Sequence, residues 1–109
     1  MVQAVTTLAE PDNGRTIELR VGDALVLQLY ENAATGYRWS FESLDRKVVT
    51  VRGEAYVRRS EAVGGGGHMQ WTLTVMASGT TQIKLKRWRQ WEGDVSIQDR
   101  FAVTLTVRP

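Results

Sequence analysis

The sequence predicts an all-β domain, an antiparallel sandwich or barrel of about 7–8 strands. Three observations point there. Apolar and polar residues alternate in short segments along most of the chain, the period-two pattern that puts one strand face in a core. Turn signals containing glycine separate the segments, as at Pro11-Asp12-Asn13-Gly14 and Ala77-Ser78-Gly79-Thr80. No segment carries a convincing helical repeat, and only 41–48 has room for one short turn.

A weak first strand covers 4–9. A second covers 16–21 and ends at Gly22-Asp23. Leu25, Leu27 and Leu29 mark the third. Tyr37, Trp39 and Phe41 mark the fourth, and their spacing predicts three rings on one face. Val49 and Val51 begin a weaker fifth, which continues through Ala55 and Val57. The sixth is clean: Met69, Trp71, Leu73 and Val75 on one face, His68, Gln70, Thr72 and Thr74 on the other. Ile83 and Leu85 start the seventh. Phe101, Val103, Leu105 and Val107 form the eighth. The inward set from these strands supplies two facing apolar layers.

With 109 residues the chain is read as one domain, 1–109, with a single sizeable core. A composition of 42% hydrophobic and 24% charged residues is that of a soluble globular protein. The formal charge is only +2 and the basic residues are scattered, which argues against a nucleic-acid partner. The absence of cysteine removes disulfides, thiol nucleophiles and thiolate metal sites. No run approaches the roughly 18 apolar residues of a membrane span. The N-terminus lacks a basic region followed by an apolar one, so no signal peptide is expected in it. The compartment stays open, because an export signal removed earlier would leave the same sequence.

Enzyme chemistry has little to build on. His68 is the one histidine, at the start of a strand, where a solvent-facing role is expected. A triad needs a serine and a carboxylate arranged around such a histidine, and no spacing suggests it. One histidine also excludes histidine-cluster metal sites. The carboxylates mostly flank turns. A glycosidase pair needs two of them at fixed separation in a cleft, which a sandwich this small rarely has. The expectation is a non-enzymatic protein without cofactor or metal.

Three interruptions of the strand pattern stand out. Asn32-Ala33-Ala34-Thr35-Gly36-Tyr37 has a tip with no bulky side chain and no charge, unusual for an exposed loop. Gly64, Gly65, Gly66 and Gly67 form a glycine run. It fits neither a dinucleotide fingerprint nor a phosphate loop, because strand residues follow it instead of a helix. It is either a flexible hairpin connection or a place where another backbone approaches closely. Arg89-Gln90-Trp91-Glu92-Gly93 is the third. Trp39 and Trp71 lie on apolar strand phases and belong to the core. Trp88 and Trp91 lie among charges at a strand end, the composition of a binding hot spot. Base stacking is the weaker reading there, because Glu92, Asp94 and Asp99 follow closely.

In order and type these loops resemble those of the chagasin-type inhibitors of papain-like cysteine proteases. The first loop of that family reads Asn-Pro-Thr-Thr-Gly-aromatic, matched by Asn32, Ala33, Ala34, Thr35, Gly36 and Tyr37. Its second is a Gly-x-Gly-Gly segment, matched by Gly64, Gly65, Gly66 and Gly67. Its third is Arg-Pro-Trp or Arg-Pro-Phe, matched by Arg89, Gln90 and Trp91, with Leu85 in the upstream leucine position. Asp99-Arg100-Phe101 is similar to the opening of the family's last strand. Ala33 and Gln90 stand where the family has proline, and Ala34 where it has the first threonine. Both loops are therefore expected to be less stiff.

The resemblance implies an immunoglobulin-like antiparallel β-sandwich with the three loops at one end. It also implies a partner, a papain-like cysteine protease, bound reversibly and tightly by a free monomer. The small first loop would enter the active-site cleft. The glycine loop would run beside the cleft's own backbone, and Trp91 would anchor on an aromatic wall. On this reading Trp91 stands exposed at the rim, and Gly66→Val alters binding while leaving stability almost unchanged. A rival of another class is a β-sandwich adhesion or carbohydrate-binding module with Trp88 and Trp91 as the sugar platform.

Overall fold

The computed structural model describes residues 4–59 and 66–109. Among them eight strands build two four-stranded sheets: β1 (Val5–Leu8), β2 (Thr16–Arg20), β3 (Ala24–Glu31), β4 (Arg38–Ser43), β5 (Val49–Arg58), β6 (Gly67–Val75), β7 (Gly79–Trp88) and β8 (Asp99–Arg108). One sheet has the order β1-β3-β6-β5 and the other β2-β8-β7-β4. Each strand that alternates in sequence alternates in burial. In β6, Met69, Trp71, Leu73 and Val75 are buried and their neighbours half-buried. β8 repeats this at Phe101, Val103, Leu105 and Val107.

These side chains join Leu25, Leu27, Leu29, Ile83, Leu85 and Trp39 in one core between the sheets. Full burial of a large aliphatic or aromatic side chain contributes about 1.5–3 kcal/mol, which makes this cluster the main source of stability. Phe41 closes its edge, packing edge-on against Trp71 with ring centroids 5.6 Å apart. Tyr37 does not share that face as expected. β4 begins only at Arg38, after the turn at Gly36, so Tyr37 falls outside the strand's alternation.

The sandwich is mixed in pairing. β3·β6, β5·β6, β4·β7 and β7·β8 are antiparallel as expected. β1 pairs parallel to β3, and β2 parallel to β8. The cause for β1 is topological. The chain crosses to the other sheet for β2 and back again for β3, and two reversals restore the original direction. The 3-10 turn Glu10–Asp12 makes the first crossing. The Asp12 carboxylate accepts from Ala9 N at 2.9 Å and pairs with Arg15, which together hold it below the usual carboxylate range. The stretch 41–48 forms no helix. Asp45 closes it as a turn, its side chain accepting from Lys47 N and its carbonyl from Val48 N and Val49 N.

Strand register gathers the loops. Glu31, the last residue of β3, pairs with Gly67, the first of β6. Gly67 pairs in turn with Arg58, the last of β5. Arg38, the first residue of β4, pairs with Trp88, the last of β7. The β3–β4 loop therefore lies between the ends of the β5–β6 connection and the β7–β8 connection, all at one end of the sandwich.

Candidate functional site

The β3–β4 loop is fastened at its base by a buried carboxylate. Glu31 continues the inward phase of Leu25, Leu27 and Leu29, and its exposure is 0%. Its Oε1 accepts from Trp39 N at 2.7 Å, and Oε2 lies 3.7 Å from Arg38 Nε. Trp39 Nε1 donates to Tyr30 O at 2.8 Å, and Tyr56 OH to Glu31 O at 3.1 Å. Both legs of the loop are thus tied to each other and to β5. Glu31 flanks a turn like most of the acids, yet its phase with the three leucines turns it inward.

Above this base the tip is a single 3-10 turn, Ala33–Thr35. Asn32 caps it, Oδ1 accepting from Ala34 N at 3.1 Å, as short polar side chains do at turn starts. Thr35 Oγ1 donates to Asn32 O at 2.8 Å and accepts from Tyr37 N at 3.3 Å. Gly36 ends the turn with φ of +78°, a left-handed conformation that costs other residues dearly. The exposed residues of the tip are Ala33, Ala34 and Thr35, none of them bulky or charged.

The β7–β8 connection is joined to this tip. Arg89 Nη2 and Nε donate to Thr35 O at 2.9 and 3.2 Å. The same guanidinium stacks over the Tyr37 ring, 4.3 Å from its centroid. Trp91 lies against Gly36: a Cβ there would sit 2.7 Å from Trp91 Cη2. The indole is nevertheless 72% exposed, as expected of a rim residue. Trp39, Phe41, Trp71, Trp88 and Trp91 help line a cleft of about 640 Å³ beneath the two loops.

Ser96 is the internal hub of this connection and had no sequence signal. Its hydroxyl accepts from Arg89 N at 2.9 Å and lies 2.9 Å from Arg89 O and 2.7 Å from Gly93 O. Two successive 3-10 turns, Gln90–Glu92 and Asp94–Ser96, take up the chain between. Arg89 pairs with Glu92 at 3.5 Å, and Lys86 with Asp94 at 3.1 Å. The looseness expected from Gln90 in place of proline is thereby offset.

Gly64 and Gly65 lie outside the described residues. Gly66 has φ of +71°, its carbonyl accepts from Arg59 N at 3.1 Å, and a Cβ would meet Tyr30 Oη at 2.9 Å. Gly67 is buried in β6, where a Cβ would run into Val57 O and lie 3.0 Å from Arg58 Cα. The expectation that Gly66→Val spares stability is therefore revised: the backbone conformation itself favours glycine. Trp88 is not a free platform. Its Nε1 donates to Ser40 Oγ at 3.1 Å, and Lys86 Nζ covers the ring 3.6 Å from the centroid. His68 sits inside β6 opposite Tyr30 and Val57.

Residues 18–105 match the model of the chagasin family of peptidase inhibitors. The chain belongs to that family. It is 34% identical over 98 residues to chagasin from Trypanosoma cruzi, an alignment that covers 85% of this chain and 89% of chagasin. The cysteine protease inhibitor EhICP2 from Entamoeba histolytica has the same fold, with a TM-score of 0.86 at 22% identity over 97% of each chain. PbICP-C, solved in complex with falcipain-2, matches with a TM-score of 0.68 at 19% identity over 97% of this chain and 92% of its own. As a member of an inhibitor family the chain is not an enzyme.

Proposed function

We propose that the chain, as a single domain spanning 1–109, is a reversible, tight-binding inhibitor of papain-like cysteine proteases that occludes their active-site cleft with the three loops. One observation carries the site. The small, uncharged tip at Ala33 and Ala34 is locked by Arg89 to a neighbouring loop that holds Trp91 out in solvent. A narrow tip can enter a slot that a charged or bulky loop cannot, and an exposed indole beside it is a ready interface anchor. Kinship to chagasin supports the same partner class.

The residues assigned to the contact are Asn32, Ala33, Ala34, Thr35, Gly36, Tyr37, Gly64, Gly65, Gly66, Gly67, Arg89, Gln90 and Trp91. Their roles differ. Ala33, Ala34 and Trp91 present surface to the protease. Asn32, Thr35, Gly36 and Arg89 hold that surface in shape through bonds within the loops. Restraint already present in the free protein reduces the ordering entropy lost on binding. Inhibition without cleavage requires only that no peptide bond of the tip be offered in attack geometry.

The test is titration of papain with the protein. Stoichiometric loss of activity, competitive with substrate and reversed on dilution, is the expected result. An untouched panel of papain-like enzymes, together with retention of glycans on an array, would overturn the reading in favour of an adhesion module.

A further inference from the structure

We infer that Val95 is a second apolar anchor of the β7–β8 connection, seated in an apolar depression of the target protease next to the one that receives Trp91. The inference rests on the reading that this connection touches the protease. It starts from exposure. Among the described residues the two most exposed large hydrophobic side chains are Val95 at 95% and Trp91 at 72%. They lie four residues apart, one in each of the two consecutive 3-10 turns. A single exposed valine on a protein surface is ordinary. Two such side chains on one short connection, at the loop-bearing end of the sandwich, are a concentration of apolar surface.

The connection is also built to hold Val95 where it is. Ser96 N donates to Gly93 O at 3.0 Å and Ile97 N to Asp94 O at 3.1 Å, which closes the turn that carries Val95. Ser96 Oγ fastens that turn to the backbone of Arg89, and Arg89 is in turn bonded to Thr35 of the β3–β4 loop. Val95 is therefore in register with the inhibitory tip through two consecutive fastenings. The acids on either side each pair with one of the protein's own cations, Glu92 with Arg89 and Asp94 with Lys86. Pairing offsets the negative charge a partner would meet beside the apolar side chains, although the Asp94 side chain itself stays 79% exposed. A partner that fits is a protease whose surface beside the cleft is apolar at two points. A charged or strongly polar residue at the second point would be rejected, which makes Val95 a determinant of which proteases are bound well.

The experiment compares wild type, Val95→Ser, Val95→Leu and Trp91→Ala. Inhibition constants are measured against papain and a panel of papain-like proteases, alongside denaturant unfolding curves. Loss of an apolar contact of valine size is expected to raise the inhibition constant by about 10-fold for Val95→Ser against at least one enzyme. Val95→Leu is expected to retain inhibition or to alter the ranking of the enzymes. All unfolding midpoints should match wild type, because Val95 and Trp91 are 95% and 72% exposed. A change below about 3-fold for Val95→Ser against every enzyme that Trp91→Ala weakens overturns the inference and leaves the inhibitor reading intact. Failure of wild type to inhibit any enzyme overturns both.

Discussion

The core and the loop end of this molecule both depend on tryptophan, and they use it in opposite ways. Trp71 and Trp39 are 2% and 7% exposed, each on the inward phase of a strand. Trp91 is 72% exposed in a turn with no strand phase at all. In the core, shape follows from alternation, and any residue of about the right size and polarity satisfies it. At the loop end, shape follows from particular atoms: Asn32 Oδ1 on Ala34 N, Arg89 on Thr35 O, Ser96 Oγ on Arg89. Substitutions in the first region should therefore show in stability. Those in the second should show in inhibition.

The largest effect expected is in the core. Trp39→Ala leaves a cavity between the sheets and removes the indole bond to Tyr30 O. It should cost about 3–5 kcal/mol of unfolding free energy. Because the backbone N at position 39 still donates to Glu31 Oε1 in the variant, inhibition should suffer only as far as folding does. An unchanged denaturant midpoint would break the comparison at its core side.

Trp91→Ala is the mirror experiment. Truncating an interface aromatic commonly costs about 2–4 kcal/mol of binding, roughly 30- to 1,000-fold in dissociation constant. The unfolding curve should stay where it is. A destabilised protein would show that the packing of Trp91 on Gly36 is part of the fold and not of the interface.

Arg89→Lys sharpens the boundary between the two regions. Lysine keeps the charge but cannot place two donors on Thr35 O while lying flat over Tyr37. Inhibition should weaken roughly 10- to 100-fold, the range expected when a charge-assisted hydrogen bond is lost. Stability should change by less than about 1 kcal/mol, since Arg89 is not a core residue. Equal losses in both would mean that the loops are welded into the sandwich more firmly than their hydrogen bonds suggest.

The smallest effect is a gain. Ala33 is the first residue of its 3-10 turn, where proline's fixed φ fits and its missing N–H is not needed. Asn32 before it is extended, as a residue preceding proline prefers to be. Ala33→Pro should tighten inhibition about 2- to 5-fold by restricting the free loop, and Ala34→Thr added to it should not reverse the gain. A weaker inhibitor would show that the protease reshapes the tip on binding.

Alternation alone carried most of the architecture. Leu25, Leu27, Leu29, Trp71, Phe101 and their partners were placed inward from spacing, and all are buried. That works because strand side chains have a strict period of two, which any single segment reveals. The three loops were likewise visible as breaks in the pattern, and their order identified the family. Three things waited for the tertiary structure. Parallel pairing of β1 and β2 depends on which sheet each crossing enters, and no local pattern encodes it. The inward turn of Glu31 needs a donor from across the loop, Trp39 N, to make a buried carboxylate tolerable. The rigidity of the β7–β8 connection comes from Ser96 and Arg89, residues whose bonds reach backbone atoms far away in sequence or several residues back. Local periodicity determines which face of a strand is apolar. Which polar atom meets which across a loop is decided only when the sheets have brought the strand ends together.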